Sequence, residues 1–547
     1  MTTTSTREHP SNKETRPRSA AGATAGTRTL LRFLLRRERF ALPWWLLGIV
    51  FLFGYQSVGS QSLYDTPQDL ANLRRTMGGN AAVVAMSGPT ELIESIGGEV
   101  LFEILAFVAI VVALMNMFLV GRHTRTEEET GRAELIRSAR IGRRAPVAAA
   151  LYLALLVNVI VGVLLFVTGL ATGLPADGSL LVGAAMTAYG LLFAALTAAA
   201  VQVFEGVRAA YGIVTATLGA AFVLRAIGDV GDGTLSWASP IGWAQRTFPY
   251  SQNRWWPLLF PLLAAAVLAA VAFALLERRD FAAGLLPARA GRAAASRTLG
   301  TPAGLAWRLQ RWMLVAWAAG VLLMGLAFGS MVETMEEFAA DNPEIADVLG
   351  GGANIIDSFL ALAFVINGLL AAAFGVISTL RLRAEETSGR AEPVFATGVS
   401  RWSWLFGNLT VPLGGTAVMM VATGLGTGLG YALAVSDFGE VPRMTAMALA
   451  YLPAVWLFVG LAVLCLGWLP RIAAVAAWVL VGYSTFMAMF ADAVELPGWT
   501  AKVSPLENAP QVPMDAFTAA PVLVLAAVAV ALLAGGYLGL RRRDLGY

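Results

Sequence analysis

Two stretches of the chain gather side chains that could do chemistry, and they read almost alike: EEETGRAE at Glu127–Glu134 and EETSGRAE at Glu385–Glu392. Each sets carboxylates beside a guanidinium at helical spacing, with Glu128 one turn before Arg132 and Glu386 one turn before Arg390. That is the chemistry of ion pairing. A catalytic centre would need a nucleophile beside a base, and neither stretch supplies the pair. The surplus acid predicts a helical surface read by a partner protein. Its residues are Glu127, Glu128, Glu129, Arg132 and Glu134 in the first copy, and Glu385, Glu386, Arg390 and Glu392 in the second. Gly131 and Gly389 are expected to bend or end each helix.

The remaining reactive side chains are few. His9 and His123 are the only histidines and Cys465 is the only cysteine, so neither an intrachain disulfide nor a zinc site is expected. The only lysines, Lys13 and Lys502, lie in SNKE and TAKV, so the sequence holds no G-x-x-x-x-G-K-[ST] phosphate loop. The chain is therefore expected not to be an enzyme by itself, and to bind no metal or cofactor of its own.

The elements that carry these phrases are apolar. Of 547 residues 57% are hydrophobic and 14% charged, with a mean hydropathy of +0.66. Apolar runs of about 20 residues, enough to cross a hydrocarbon core, recur along the chain. The expectation is an all-α integral membrane protein with twelve transmembrane helices. They fall near 41–58, 99–121, 146–174, 180–203, 210–229 and 256–276, then 312–331, 355–380, 404–434, 443–466, 472–492 and 520–540. Placing both termini in the cytoplasm puts most arginines in inner segments and most acids in outer ones, as the positive-inside bias requires. Trp44, Trp45, Trp255 and Trp256 then sit at interfaces. The acidic outer segment Glu333–Asp347 is expected to be a solvated cap.

Four parts follow. Residues 1–28 are polar and read as a disordered cytoplasmic tail. Residues 29–276 and 305–547 are two six-span domains, joined by a cytoplasmic linker at 277–304. The halves match in detail. TLLRFLLRRERF and LAWRLQRWM each put an amphipathic stretch, suited to lie flat at the inner interface, before the first span. ASPIGW matches VSPLEN before the last span, and ERRD matches RRRD after it. Tandem repeats of this kind predict two bundles around a pathway.

Inside the spans Arg225 needs a carboxylate, and Glu103 and Asp229 are the candidates for a buried ion pair. Met115, Asn116 and Met117, with Tyr483, Met487 and Met489, offer adaptable apolar walls with polar handles for a substrate pathway. Gly424, Gly426, Gly428 and Gly430 predict close helix packing.

Six plus six spans also suit an ion-coupled secondary transporter, whose loop after span 2 carries a D-R-x-G-R-R-like motif. ARIGRR at Ala139–Arg144 is near it, yet Ala139 replaces the acid and the second half reads TGVSRW at Thr397–Trp402. No buried acid–base relay is visible in the spans either. The tandem plan, the amphipathic stretches, the doubled glutamate-rich phrase and the SP turns instead resemble ABC-2-type exporter permeases. In particular the chain looks like the fused polyketide-antibiotic (tetronasin-type) and multidrug efflux permeases of high-GC bacteria. The resemblance covers residues 29–547.

It implies a multi-pass permease of the bacterial cell (plasma) membrane that exports hydrophobic drugs or antibiotics, with alternating access driven by a separate ABC ATPase, two copies per chain, which binds ATP and Mg. It implies contact with membrane lipids and none with nucleic acid. The segments 124–144 and 383–402 would then be coupling helices. Export of a lipid or glycolipid by the same class of machine is the alternative cargo.

Overall fold

A backbone inside hydrocarbon must satisfy its own hydrogen bonds, and the apolar runs do so as helices. The computed structural model describes residues 22–64, 66–78, 80–280, 283–286, 294–333, 352–494 and 497–543. Among these, helices carry the fold and no strand forms; one isolated bridge joins Phe204 and Leu286. Among the described residues eleven helices are long and apolar enough to cross a membrane. The span expected near 472–492 corresponds to the helix Ala473–Val494, whose described apolar part, Ala473–Met489, is shorter. Residues 1–21 and 334–347, from the expected tail and acidic cap, lie outside the described residues.

The chain divides into two compact units, Met1–Ala290 and Gly291–Tyr547. The first contains α1 (Thr27–Glu38), α2 (Leu42–Leu63), α3 (Ile96–Arg122), α4 (Ala145–Ala171), α5 (Ala176–Val203), α6 (Val207–Val230) and α7 (Leu259–Arg278). α3 and α5 carry apolar residues on every face, which suits helices walled in by other helices, although α3 also holds Glu99, Glu103 and Asn116. Both are 72% buried across their apolar windows, against 17% for α2 and 22% for α7. Small residues allow the close fit: a side chain at Gly162 or Gly183 would strike the facing backbone, the Gly183 carbonyl at 2.7 Å and the Gly162 carbonyl at 2.3 Å.

The second unit contains α8 (Pro302–Ser330), α9 (Gly352–Thr387), α10 (Arg401–Val435), α11 (Glu440–Ala450), α12 (Leu452–Trp468), α13 (Ala473–Val494) and α14 (Ala519–Arg542). The glycines of α10 serve two faces. A Cβ at Gly426 or Gly430 would lie 2.2 Å from the carbonyl of Leu322 or Leu326 on α8. A Cβ at Gly424 or Gly428 would lie 2.4 Å from Thr445 Cα or 2.7 Å from Val441 Cα on α11. Close packing is what these glycines provide.

The two amphipathic stretches differ. α1 ends at Glu38 and α2 restarts at Leu42, with Pro43 in its first turn. Proline has no N–H to continue a helical ladder and is at home in a first turn. No such breaker stands between Arg308 and the apolar run after it, so Pro302–Ser330 is one continuous helix that carries the basic stretch straight into the span.

Candidate functional site: the charged phrase and its clasp

Each charged phrase begins in the last helical turns before a glycine. In the first unit α3 is followed by a short helix, Arg125–Glu129; in the second, α9 runs unbroken to Thr387. Gly131 and Gly389 then turn the chain with φ of +72° and +70°, left-handed values that a side chain disfavours. A second short helix follows, Arg132–Arg137 in one unit and Ala391–Ala396 in the other. The phrase is thus two helical pieces hinged at glycine, where the sequence predicted one helix bent or ended there.

The hinge separates Glu128 from Arg132, and Glu128 finds other partners. Arg125 Nη1 donates to Glu128 Oε2 at 2.6 Å, and Arg279 Nη1 donates to the same oxygen at 2.9 Å. Arg279 also donates to Gln202 Oε1 at 2.7 Å, and Arg125 to the Glu205 carbonyl at 2.6 Å. In the second unit Arg383 Nη1 donates to Glu386 Oε2 at 3.2 Å and Arg543 Nη2 at 2.8 Å. One carboxylate between two guanidiniums therefore clasps the phrase to the end of the unit's last long helix, twice over. Arg143 supports the first clasp by donating to the carbonyls of Leu276 and Arg279, and Arg401 the second by donating to those of Leu540 and Arg543. These arginines escaped the sequence reading, although the match of ERRD to RRRD marked the place.

The other acids divide into engaged and free-standing. Glu127 is buried and pairs with Arg37 of α1, and exposed Glu129 accepts from the Val207 N–H at 2.5 Å. Glu385 lies 3.5 Å from Arg381 and 3.4 Å from Arg390. Past the hinge, Arg132, Glu134, Arg390 and Glu392 are exposed, and Leu135 is 76% exposed. α1 is tied down beside the phrase by Glu38, 3.0 Å from Arg122 and 2.8 Å from His123 Nε2. Burial pushes the Glu38 carboxyl up, but His123, Arg122 and Arg37 outweigh it and hold it below its ordinary value.

Of the acids offered for Arg225, Asp229 meets it, at 3.6 Å. Arg225 also donates to the Ala85 carbonyl at 2.8 Å, while Ser236 and Arg246 complete the surroundings of Asp229. Glu103 accepts from Gln56 instead. Asn116 is fully buried and exchanges hydrogen bonds with Asn158, at 3.0 and 2.8 Å, between the buried Met115 and Met117. In the other unit Tyr483 donates to the Thr500 carbonyl at 2.7 Å, Met487 is buried and Met489 is exposed. These six residues divide between two units, three in each.

Residues 28–276 and 299–541 match the family described as "Multidrug efflux system permease Rv1217c, C-terminal domain". The chain is 38% identical over 541 residues to the multidrug efflux system permease protein Rv1217c of Mycobacterium tuberculosis (strain ATCC 25618 / H37Rv), covering 97% of each chain.

Proposed function

The chain belongs to the Rv1217c family of multidrug efflux system permeases, and on that footing we propose that it is the membrane subunit of an ATP-driven exporter of hydrophobic drugs or antibiotics. The family carries the drug-efflux part. The ATPase part rests on one observation: both units end the charged phrase alike, in a clasped glutamate, a left-handed glycine and a short helix with charges facing outward. A separate ABC ATPase dimer, holding ATP and Mg, grips these two short helices in the cytoplasm of a bacterial cell. Its closure pushes each short helix, and the clasp passes the push through Glu128 to Arg279 or through Glu386 to Arg543. The two six-span halves then rock between inward-open and outward-open states.

The docking residues in this scheme are those past the hinge. Arg132→Glu with Glu134→Lys, and Arg390→Glu with Glu392→Lys, should each lower co-purification of the ATPase on the order of ten-fold without reducing membrane insertion. Full binding and full drug-stimulated hydrolysis in both variants would sink the docking scheme. One observation favours ion coupling as a second reading. Glu99 is fully buried on α3 one turn from Glu103, with Ser60 and Gln56 of α2 beside them, so carboxyls do gather inside the spans. Transport abolished by an uncoupler while ATP is held constant would favour that reading.

A further inference from the structure

Between α4, α5 and α7 the first unit holds a groove of about 660 Å3, within the ~300–1,000 Å3 typical of ligand sites. Its walls are apolar: Ala148, Leu151, Leu155, Leu191, Ala269 and Phe273. Leu155 at 42% exposure and Leu262 at 43% mark its open side. At one end stand Arg144 and the hydroxyl-bearing Thr24 and Thr27. Leu155 is about 16 Å along α4 from Arg144 at ~1.5 Å per residue. The groove is thus a long apolar slot with a polar mouth, at the clasp end of the bundle.

The mouth is built and basic. Gly142 N–H donates to Ala25 O and Arg144 N–H to Ala23 O, each at 2.9 Å, which pins residues 22–27 across it. Arg28 and Arg140 flank the contact, both exposed and in no ion pair among the described residues. Arg144 pairs with one acid, Glu277, and both side chains are nearly half exposed, at 41% and 49%. Among the described residues three guanidiniums stand against one carboxylate here, which makes the mouth positive.

The second unit fills the same place. Arg143 and Arg401 donate to equivalent carbonyls of the last helix, and counting from those anchors matches Arg144, Ala148 and Phe273 to Trp402, Phe406 and Tyr537. There the three rings pack on one another, with centroids 3.8, 4.8 and 6.0 Å apart, and Arg541 lies over Tyr537. Aromatic bulk stands where the first unit has alanine and space.

We propose that the first unit alone holds one membrane phospholipid with an anionic headgroup. One acyl chain lies in the slot between α4, α5 and α7, and the phosphate accepts from Arg144 and the Thr24 hydroxyl, with Arg28 and Arg140 close by; the Thr27 hydroxyl donates to the Thr24 carbonyl at 2.6 Å. A chain-filled slot beneath a basic mouth at a membrane surface selects for net negative charge in the headgroup. This assignment rests on the correspondence of the two halves and is independent of the ATPase scheme.

Native mass spectrometry of the full chain, released from phosphatidylglycerol or from phosphatidylcholine with the same acyl chains, tests it. One phosphatidylglycerol per chain is expected to stay bound, on the order of ten-fold over phosphatidylcholine. Ala148→Phe, which brings in the second unit's ring, should abolish retention, and Arg144→Gln should abolish the headgroup preference. Trp402→Arg with Phe406→Ala should open a second site. Equal retention of both lipids, or retention unchanged in Ala148→Phe and Arg144→Gln, overturns the assignment. So does displacement of the lipid by N-phenylnaphthylamine, a neutral apolar probe. Should Ala148→Phe fail to fold, Arg144→Gln decides, because the exposed Arg144–Glu277 pair contributes little to stability.

Discussion

Glu128 is the residue on which the first clasp turns. The side chains of Arg125 and Arg279 that it neutralises are 1% and 5% exposed. Removing the carboxylate takes from the buried Arg279 guanidinium the carboxylate it pairs with. Glu128→Gln is therefore expected to cost roughly 3 kcal/mol, seen as a lower thermal midpoint, with a double-mutant cycle against Arg279→Gln giving a coupling above about 1 kcal/mol. Additive effects would mean that the pair does not hold the helix ends together. Glu38 gives a pH signature. Its carboxyl is held below the ordinary 4.5, so its contribution is complete above that value and is lost as pH falls through the lower, folded one. Hydrogen-exchange protection across Thr27–Glu38, measured relative to the intrinsic rate at each pH, should fall in that acid window and stay high at neutral pH. Protection that does not change with pH would show that Glu38 does not tether α1.

The helices depend on glycine at contacts where nothing larger fits. Gly426→Val pushes a side chain into the Leu322 carbonyl, and the overpacking is expected to cost about 1–3 kcal/mol, read as a lowered melting temperature. The control is Gly414→Val, because a Cβ there meets nothing within 4 Å. Equal losses at both positions would refute the contact. The helices themselves were legible in the sequence, since a long apolar run has only one common way to satisfy its backbone in lipid. Helical spacing also marked Asp229 as a partner for Arg225. Spacing could not reveal who holds Glu128 and Glu386, because Arg279 and Arg543 lie 151 and 157 residues away. Only the packed bundle brings them in. The flat helix expected before Met313 was misjudged for a simpler reason: basic residues mark an interface, but without a proline or glycine they do not break a helix.

For the whole molecule, the proposed scheme has a companion ATPase drive a permease of the drug-efflux family through its two hinged, clasped phrases. The clasps should then matter to turnover as well as to stability. Gly131→Ala, which costs about 1 kcal/mol at a left-handed position, should slow drug-stimulated hydrolysis while drug binding to the permease alone stays unchanged. Unaltered hydrolysis would remove the hinge from the mechanism. The most direct measurement is drug accumulation in sealed proteoliposomes that contain the purified chain, with and without the ATPase. Accumulation against a gradient is expected only when the ATPase and ATP are both present, and it should persist after an uncoupler collapses any ion gradient. Uphill accumulation by this chain alone, driven by an imposed proton or sodium gradient, would contradict the account.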